Sequence, residues 1–300
     1  MIIIKKIDEL NGHKAGIYAL SAADSNYIYS GGVDKHIIKW DLKNSENSEV
    51  IIKTSETIYS LYHHLENNLL FVGTTSGKIH IIDLLQKKEI KLLQTHSNKI
   101  FDFKLHQSFL IALSADGWMS FTNIATLKTE YIYKIANETI RSIDIKNDIA
   151  ALACGDSTIK LFDLEKKCVI HSFIAHEKRC NVVKYHPTQN LLLSGGWDAH
   201  LNIWDDNYQL IKSIPAHNYA IYSLVFSPDN TLFATGSRDK SIKIWDALNI
   251  DHPKSITSEN EKGHAFSVNK LIWQTHCGNL ISASDDRKLM IWDIKKTHPL

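Results

Sequence analysis

A twelve-residue pattern that recurs along the chain restricts the possible folds more than any other feature. In SGGWDAHLNIWD, an aspartate stands six residues before a tryptophan, and a serine stands four residues before that aspartate. SGGVDKHIIKWD, TGSRDKSIKIWD and SASDDRKLMIWD keep the same spacing, with threonine in place of serine in one copy. Self-similarity of this kind is the signature of a repeat architecture, so the period of the repeat decides the fold class.

The pair of residues that ends each copy measures the period. Complete and degenerate copies of this pair lie 40 to 47 residues apart and occur seven times. The first members of the pairs are Trp40, Ile82, Thr122, Phe162, Trp204, Trp245 and Trp292. Seven units of one kind cover nearly the whole chain, and we therefore predict a single domain over residues 1–300.

Each unit has the pattern of strands joined by tight turns. The sixth, IYSLVFSPDNTLFATGSRDKSIKIWD, alternates apolar and polar residues, is rich in β-branched and aromatic types, and breaks at Pro-Asp-Asn and Arg-Asp-Lys. A further apolar run, such as YQLIKSI after Trp204, predicts a fourth strand in each unit. No window keeps a helical period long enough to compete. The sequence therefore predicts an all-β protein.

Four-stranded units of about 40 residues that end in Trp-Asp and follow Gly-His or Ala-His resemble the repeats of the WD40 family. Seven copies imply a seven-bladed β-propeller of four-stranded antiparallel blades. The opening run IIIKKI, residues 2–7, has no partner in its own unit. We expect it to complete the last blade, because this would close the ring and remove an open sheet edge.

The resemblance also assigns a role to the recurring residues, since in this family His, Ser or Thr, Asp and Trp form a buried hydrogen-bonded network within a blade. Four units hold a complete set. The sets are His13, Ser30, Asp34 and Trp40; His176, Ser194, Asp198 and Trp204; His217, Thr235, Asp239 and Trp245; and His264, Ser282, Asp286 and Trp292. A hydrolase triad uses the same residue types, but a fourfold recurrence without a G-x-S-x-G elbow favours the structural role.

Three units depart from the pattern. The second is predicted to lose its network entirely, and its four positions hold Thr54, Val72, Ser76 and Ile82. The third keeps His96 and Asp116 but has Ala112 at the hydroxyl position, and the fourth keeps only Asp156. Replacing a whole polar set by apolar residues leaves no buried partner unsatisfied, so we expect these blades to fold as well.

Composition argues against several classes of function. The net charge of +1 provides no global attraction to nucleic acid or to an anionic membrane, and no apolar stretch approaches the roughly 20 residues of a membrane helix. Neither the cysteines nor the histidines have zinc-site spacing, and phosphate-binding and dinucleotide motifs are absent, so we predict no metal and no cofactor. The four cysteines form no CxxC pair, which predicts buried, reduced thiols in a cytoplasmic protein.

In the WD40 family, partners commonly bind the face around the central channel, with residues three and five places after the repeat histidine and one place before the turn aspartate. Nine of these positions hold aromatic or basic side chains, the types that anchor interfaces. They are Tyr18, Tyr59, Phe101, Tyr222, Trp197, Lys99, Arg141, Arg179 and Arg238. The basic members come from units three to six, which predicts a positive arc beside an aromatic one.

Two classes of function follow. The first is a non-enzymatic scaffold that binds a peptide or loop of a protein partner, with an acidic partner as a hypothesis, as a monomeric propeller or as part of a larger complex. The second is an enzyme, or a regulatory subunit, with a small-molecule pocket in the channel. Asp285 is the one carboxylate at these positions, which favours binding over catalysis. The side chains could instead only pack on one another, and the polar segment 247–263 is either a partner-specific insertion or an inert loop.

Overall fold

The chain folds into strands because apolar residues alternate with polar ones and turn-forming residues separate the runs. The computed structural model describes residues 1–22, 26–44 and 46–297, and these contain 28 strands and no helix. The strands form seven four-stranded antiparallel sheets. The innermost strands of consecutive sheets contact one another all the way around, so the sheets are the blades of a closed ring. The prediction of an all-β, seven-bladed propeller is confirmed.

Strand β1 (Ile2–Asn11) precedes the first blade, and the others follow from the innermost to the outermost position of each blade. Blades 1 to 3 consist of β2 (Ile17–Ala22), β3 (Tyr27–Gly32), β4 (His36–Asp41) and β5 (Ser48–Lys53); β6 (Ile58–His64), β7 (Leu69–Thr74), β8 (Lys78–Asp83) and β9 (Lys88–Gln94); and β10 (Ile100–His106), β11 (Phe109–Ser114), β12 (Trp118–Asn123) and β13 (Lys128–Lys134).

The remaining blades continue in the same order. Blades 4 to 6 consist of β14 (Ile140–Lys146), β15 (Ile149–Cys154), β16 (Thr158–Asp163) and β17 (Cys168–Ile174); β18 (Cys180–Tyr185), β19 (Leu192–Gly196), β20 (His200–Trp204) and β21 (Leu210–Pro215); and β22 (Ile221–Phe226), β23 (Leu232–Ser237), β24 (Ile242–Asp246) and β25 (Lys254–Ile256). Blade 7 consists of β26 (Val268–Trp273), β27 (Leu280–Ser284), β28 (Lys288–Lys296) and, outermost, β1.

Strand β1 closes the ring by pairing antiparallel with β28. Ile2 lies opposite Lys296, and Asn11 lies opposite Lys288, with a bulge after Lys6. The closing strand is therefore longer than the predicted residues 2–7. It continues because Leu10, which is 1% exposed, packs in the apolar layer between blades 7 and 1.

The apolar core is divided among the contacts between neighbouring blades. The described residues form seven buried clusters, and each cluster draws its members from two adjacent blades. Between blades 5 and 6, for example, Leu193 and Leu201 pack with Phe233 and Trp245. Each blade is thus stabilised by both neighbours, which makes closure of the ring important for the whole molecule.

Two predictions need correction at this level. The segment 247–263 is more than a connection, because it contains β25, the outermost strand of blade 6. Of the cysteines, Cys154 and Cys180 are buried as expected, but Cys168 and Cys277 are exposed. Burial raises the pKa of the Cys154 thiol to about 12, so this thiol stays protonated and unreactive. Among the described residues, no helix has the length and apolar character needed to span a membrane.

Candidate functional site at the channel mouth

A β-bulge occurs at the same place in the innermost strand of every blade. In each case the register against the second strand shifts and leaves one extra residue unpaired. These residues are Tyr18, Tyr59, Phe101, Arg141, Asn181, Tyr222 and Asn269. A bulge redirects its side chain relative to the regular ladder. Because the innermost strands surround the channel, seven redirected side chains meet at its axis.

All seven bulged residues line one cavity of about 260 Å³, together with Lys270 and Asp285. We call this end of the channel, with its surrounding residues, the channel mouth. The bulged positions are those that lie five places after the repeat histidine, which is why counting along the sequence finds them. The spacing rule did not identify Lys270, because this residue lies outside the positions that the rule counts. It follows Asn269 directly in the sequence. Arg179 and Trp197 line a shallow depression beside the cavity.

The aromatic side chains form two groups at the channel mouth. Tyr18 stacks on Tyr59 with ring centroids 5.2 Å apart, and Tyr59 meets Phe101 edge to face at 5.7 Å. Blades 1 to 3 thus share a continuous aromatic wall. On the other side, Trp197 lies edge to face with Tyr222, with centroids 6.4 Å apart. Both geometries are favourable for the ring quadrupoles and hold the rings in defined positions.

The basic side chains lie over these rings. The Lys99 ammonium is 4.8 Å from the centroid of Tyr59, and the Arg141 guanidinium carbon is 4.4 Å from that of Phe101. Two further guanidinium groups flank Trp197, that of Arg179 at 5.8 Å and that of Arg238 at 5.6 Å. These are cation–π distances. The predicted positive arc, from blades 3 to 6, is therefore in contact with the aromatic side chains beside it, because each long basic side chain reaches a neighbouring ring.

Positive charge at the channel mouth is largely unpaired. The chain has four arginines, and three of them lie here. Among the described residues, none of these three guanidinium groups has a hydrogen bond or an ion pair to a protein group. Burial lowers the pKa of Arg141, and the neighbouring charge of Arg179 lowers it further. The charged form of Arg141 is therefore held at a cost, which a bound anion would offset.

The carboxylates near the cavity already have partners. Asp285 accepts a hydrogen bond of 2.8 Å from Asn269 Nδ2. Lys270 reaches across the channel, where its Nζ lies 3.4 Å from Asp102 Oδ1 of blade 3. Asp144 pairs with Lys104 at 2.7 Å, so the acidic groups of the channel are used within it. Among the groups that line the cavity, Arg141 is therefore the charged group left without a hydrogen bond or an ion pair, and four aromatic rings line the cavity with it.

Asparagines at the bulges connect neighbouring blades. Asn181 Nδ2 donates to the carbonyl oxygen of Ile221 at 3.0 Å, and Asn269 Nδ2 donates to that of Ile17 at 3.0 Å. These bonds fix the orientation of both amides. Asn181 is 3% exposed, and its Oδ1 has no hydrogen-bond partner. A buried acceptor without a partner is costly and draws attention to this position.

The four complete sets of His, Ser or Thr, Asp and Trp have one geometry. The imidazole Nε2 lies 2.7–2.9 Å from the hydroxyl oxygen, and Nδ1 lies 2.8–3.0 Å from the carboxylate. The indole N–H donates to the same hydroxyl oxygen at 2.7–2.9 Å. All four hydroxyl residues are 0% exposed, so a substrate cannot reach them. The arrangement supplies partners to buried polar groups and offers no nucleophile.

The aspartate of each set holds a tight turn. The residue that follows it has a positive φ of 68–74°. Asp34 accepts hydrogen bonds from His13 Nδ1 at 2.8 Å, from Lys14 N at 2.9 Å and from His36 N at 3.3 Å. Burial alone would raise the pKa of Asp34, but these bonds outweigh it and lower the pKa to about 2. The folded protein therefore stabilises the charged form of the Asp34 carboxylate more than its protonated form.

Two degenerate blades have polar contacts that the spacing did not predict. In blade 3, His96 Nε2 lies 2.8 Å from the hydroxyl of Ser120 on β12, which takes the place of the missing hydroxyl on β11. Blade 2 lacks the repeat network, as expected, but has a different set of polar contacts. Ser76 Oγ donates to Glu56 at 2.9 Å, and Lys78 Nζ donates to the same carboxylate at 2.7 Å. No spacing signal identifies Ser120 or Glu56, since both lie outside the repeated positions.

The described residues hold no group of three or more His, Cys, Asp or Glu side chains arranged to bind a metal ion. The channel mouth is the place where arginines without a hydrogen bond to a described protein group meet aromatic rings beside one cavity.

Comparisons with known proteins agree with this architecture. A family model described as "WD domain, G-beta repeat" matches residues 167–205, 208–246 and 255–293, and one described as "PAN2 N-terminal" matches residues 2–152. Among solved structures, the WD40 β-propeller domain of Doa1 superposes with a TM-score of 0.86 at 18% identity, covering 98% of this chain and 97% of that one. This likeness concerns the fold alone.

Relatives of known name differ widely from one another. Pre-mRNA-processing factor 19 of Caenorhabditis elegans is 26% identical over 164 residues, which are 39% of this chain and 33% of that protein. Actin-interacting protein 1 of the same organism is 25% identical over 321 residues, which cover 96% of this chain and 48% of that protein. The matches span about a third of the length of the first curated relatives. Repeats, blade geometry and family matches together place the chain in the WD40-repeat family.

Proposed function

We propose that this protein is a non-enzymatic interaction scaffold that binds a segment of a partner protein at the channel mouth. The observation that carries the proposal is a set of three arginines that have no hydrogen bond or ion pair to a described protein group and lie over aromatic rings. Arg141 lines the cavity, and Arg179 and Arg238 lie over Trp197, which contacts the cavity-lining Tyr222. Aromatic and arginine side chains supply most of the binding energy in many protein interfaces. A WD40 propeller is typically such a scaffold, which supports the class of function.

The chemistry of the channel mouth favours an acidic partner segment. An apolar side chain of the partner would rest on the wall of Tyr18, Tyr59 and Phe101, while carboxylates or a phosphate would pair with the guanidinium forks of Arg179 and Arg238. The attraction is local, because the net charge of the whole chain is only +1. Binding is therefore expected to weaken with salt through a few close contacts.

The alternative function, an enzyme that binds a small molecule in the channel, has weaker support. The cavity of about 260 Å³ lies just below the roughly 300 Å³ at which typical ligand pockets begin. Its one lining carboxylate, Asp285, is hydrogen-bonded to Asn269. General acid–base catalysis needs positioned groups that can exchange protons with the substrate, and this cavity offers cations and rings in their place.

The test begins with affinity capture and mass spectrometry to identify a partner, followed by titration of that partner with purified variants. The double variant Arg179→Ala/Arg238→Ala should weaken binding at least about tenfold and flatten its salt dependence. Tyr222→Ala should raise the dissociation rate. Both variants should keep the unfolding midpoint of the wild type, because none of the three substituted side chains belongs to a buried interblade cluster of the described residues.

The matched control is Lys166→Ala/Lys295→Ala, which removes the same charge from two highly exposed side chains in outer segments. This control should bind like the wild type. If a captured partner binds both channel-mouth variants as well as it binds the wild type, the interface lies elsewhere on the propeller and the proposal for the channel mouth fails.

A further inference from the structure

Arg141 holds a position unlike that of the other arginines. It lies at a bulge, lines the cavity itself, and has its guanidinium carbon over the Phe101 ring, 4.4 Å from the ring centroid. The N–H groups of this guanidinium have no acceptor among the described protein groups. A guanidinium held in this way presents its planar fork, which matches the oxygens of a carboxylate or phosphate.

The next bulge around the ring supplies an acceptor. Asn181 is buried, and because its Nδ2 is bound to the carbonyl of Ile221, its Oδ1 is the atom left without a partner. Arg141 and Asn181 come from adjacent blades and line the same cavity. The wall therefore offers strong donors for an anion beside an acceptor for one N–H or O–H group.

The other charged groups of the cavity do not satisfy Arg141. Asp285 is bound to Asn269, and Lys270 shares a carboxylate across the channel with Asp102. The rings of Tyr59 and Tyr222 line the cavity as well, and such surroundings strengthen an ion pair by limiting its exposure to water.

We propose that the cavity is an oxyanion subsite, in which Arg141 binds one carboxylate or phosphate group of the partner and Asn181 accepts a hydrogen bond from an N–H or O–H next to that group. The proposal rests on the proposed function of the channel mouth and assigns its deepest contact. A carboxylate preceded by a peptide N–H meets both requirements, and so does a phosphate that carries one proton.

Small probes test the subsite on the intact chain. N-acetyl-phenylalanine carries a carboxylate, an adjacent N–H and a ring; its C-terminal amide is neutral; and phenyl phosphate represents the other source of the oxyanion. Titrations followed by ligand-observed NMR should show at least about tenfold tighter binding of one anionic probe than of the amide, since a hydrogen bond to a charged group is roughly twice as strong as one between neutral groups. Which anion binds identifies the source.

Variants then locate the contact. Arg141→Gln should lower the affinity for the anionic probe at least about tenfold and leave the affinity for the neutral amide unchanged. Arg141→Lys should retain part of the affinity for the anionic probe. Arg287→Gln removes the same charge from the remaining arginine, which is exposed and lies outside the cavity, and should change affinity less than about twofold. A shared unfolding midpoint shows that the variants are folded.

The outcomes separate the subsite from the proposed function. If neither anion binds better than the amide up to about 20 mM, or if Arg141→Gln and the wild type bind alike, the subsite is overturned. Partner binding that still depends on Arg179 and Arg238 would then leave the proposed function intact. If the anions bind through Arg141 but the partner has the same affinity for every channel-mouth variant as for the wild type, the subsite stands and the proposed function fails.

Discussion

A single turn aspartate accepts hydrogen bonds from several donors in one blade. The Asp239 carboxylate accepts hydrogen bonds from His217 Nδ1 at 3.0 Å, from Asn218 N at 2.9 Å and from Ser241 N at 3.0 Å. The turn it closes contains Lys240 with a φ of 74°, a conformation that costs free energy for any residue with a side chain. The carboxylate therefore stabilises both the imidazole and the turn.

Asp239→Ala should lower the free energy of unfolding by about 1–3 kcal/mol, because it leaves these donors unsatisfied. The matched change is Asp156→Ala in blade 4, whose carboxylate has no histidine partner and whose side chain is 32% exposed, against 8% for Asp239. Asp156→Ala should lower the free energy of unfolding clearly less than Asp239→Ala does. Urea denaturation of the two variants measures the difference, and equal losses would contradict the role assigned to the network.

The histidines and aspartates of these networks predict a loss of stability in acid. Burial lowers the pKa of His217 below its ordinary value of 6.5, so the unfolded chain takes up a proton that the folded one refuses, and stability falls as the pH drops below about 6.5. The hydrogen bonds to Asp34 overcome the effect of burial and lower its pKa to about 2. Its contribution is present above the ordinary value of 3.8 and is lost as the pH falls toward 2.

Urea denaturation at a series of pH values should therefore show a first decline below neutrality and a steeper one below about pH 4. In His217→Gln the first decline should become smaller, since the titrating imidazole is gone. A free energy of unfolding that stays constant between pH 7 and pH 3 would contradict the assignment.

Sequence reasoning located residues of the channel mouth wherever the repeat fixes their position. Tyr18 and Tyr222 lie five places after a repeat histidine, and a bulge occurs at that place in every blade. It could not find contacts between blades, such as Arg141 over Phe101, because these depend on how far a side chain reaches. It also missed Ser120, since a hydroxyl from a different strand has a different spacing.

At the scale of elements, the outer strands differ in how they protect their free edge. Strand β17, with the sequence CVIHSFI, is the one outer strand in the described part of the chain that has no Lys, Arg, Asp or Glu. Its Ile170 and Ile174 are 47% and 78% exposed. Edge strands with unpaired backbone groups and apolar side chains favour pairing with other chains, and charges normally prevent it.

Ile170→Lys should therefore slow aggregation on heating and change the free energy of unfolding by less than about 0.5 kcal/mol, because the side chain is exposed. Light scattering during a temperature ramp measures the effect. Ile132→Lys is the matched control, since Ile132 is 43% exposed on β13, a strand that already carries lysines and a glutamate. Equal gains from both variants would argue against a special role for the edge of β17.

At the scale of the whole molecule, the period of the repeat was sufficient to predict seven blades and closure by the first strand. The predicted end of that strand was too early, because the bulge after Lys6 interrupts the alternation of residues while pairing continues to Asn11. Strand β25 was not recognised, because only Lys254–Ile256 pair within a polar segment and so short a run has no measurable period.

Ring closure should contribute a large share of the stability. Deleting residues 1–8 removes most of β1 and uncovers one edge of blade 7, and we expect the free energy of unfolding to fall by about 3 kcal/mol or more. Within the strand, Ile4→Ala should cost about 2–4 kcal/mol, because Ile4 is 7% exposed and packs with Trp292.

Ile3→Ala is the matched control, since Ile3 is on the same strand but 47% exposed, and should cost less than about 1 kcal/mol. Chemical denaturation of the three variants gives these values. A deletion variant with the midpoint of the wild type would show that the ring does not depend on β1.

The composition of blade 7 also bears on how the protein is made. Strand β1 leaves the ribosome long before β28, its only partner in the sheet. At synthesis rates of about 5–20 residues per second, the interval is on the order of 15–60 s. During this time the first six blades can form one after another, while β1 remains without its sheet partner and its backbone groups and apolar side chains are exposed. The channel mouth takes its final shape only after β28 has emerged, so translation sets the earliest moment at which this cavity is complete.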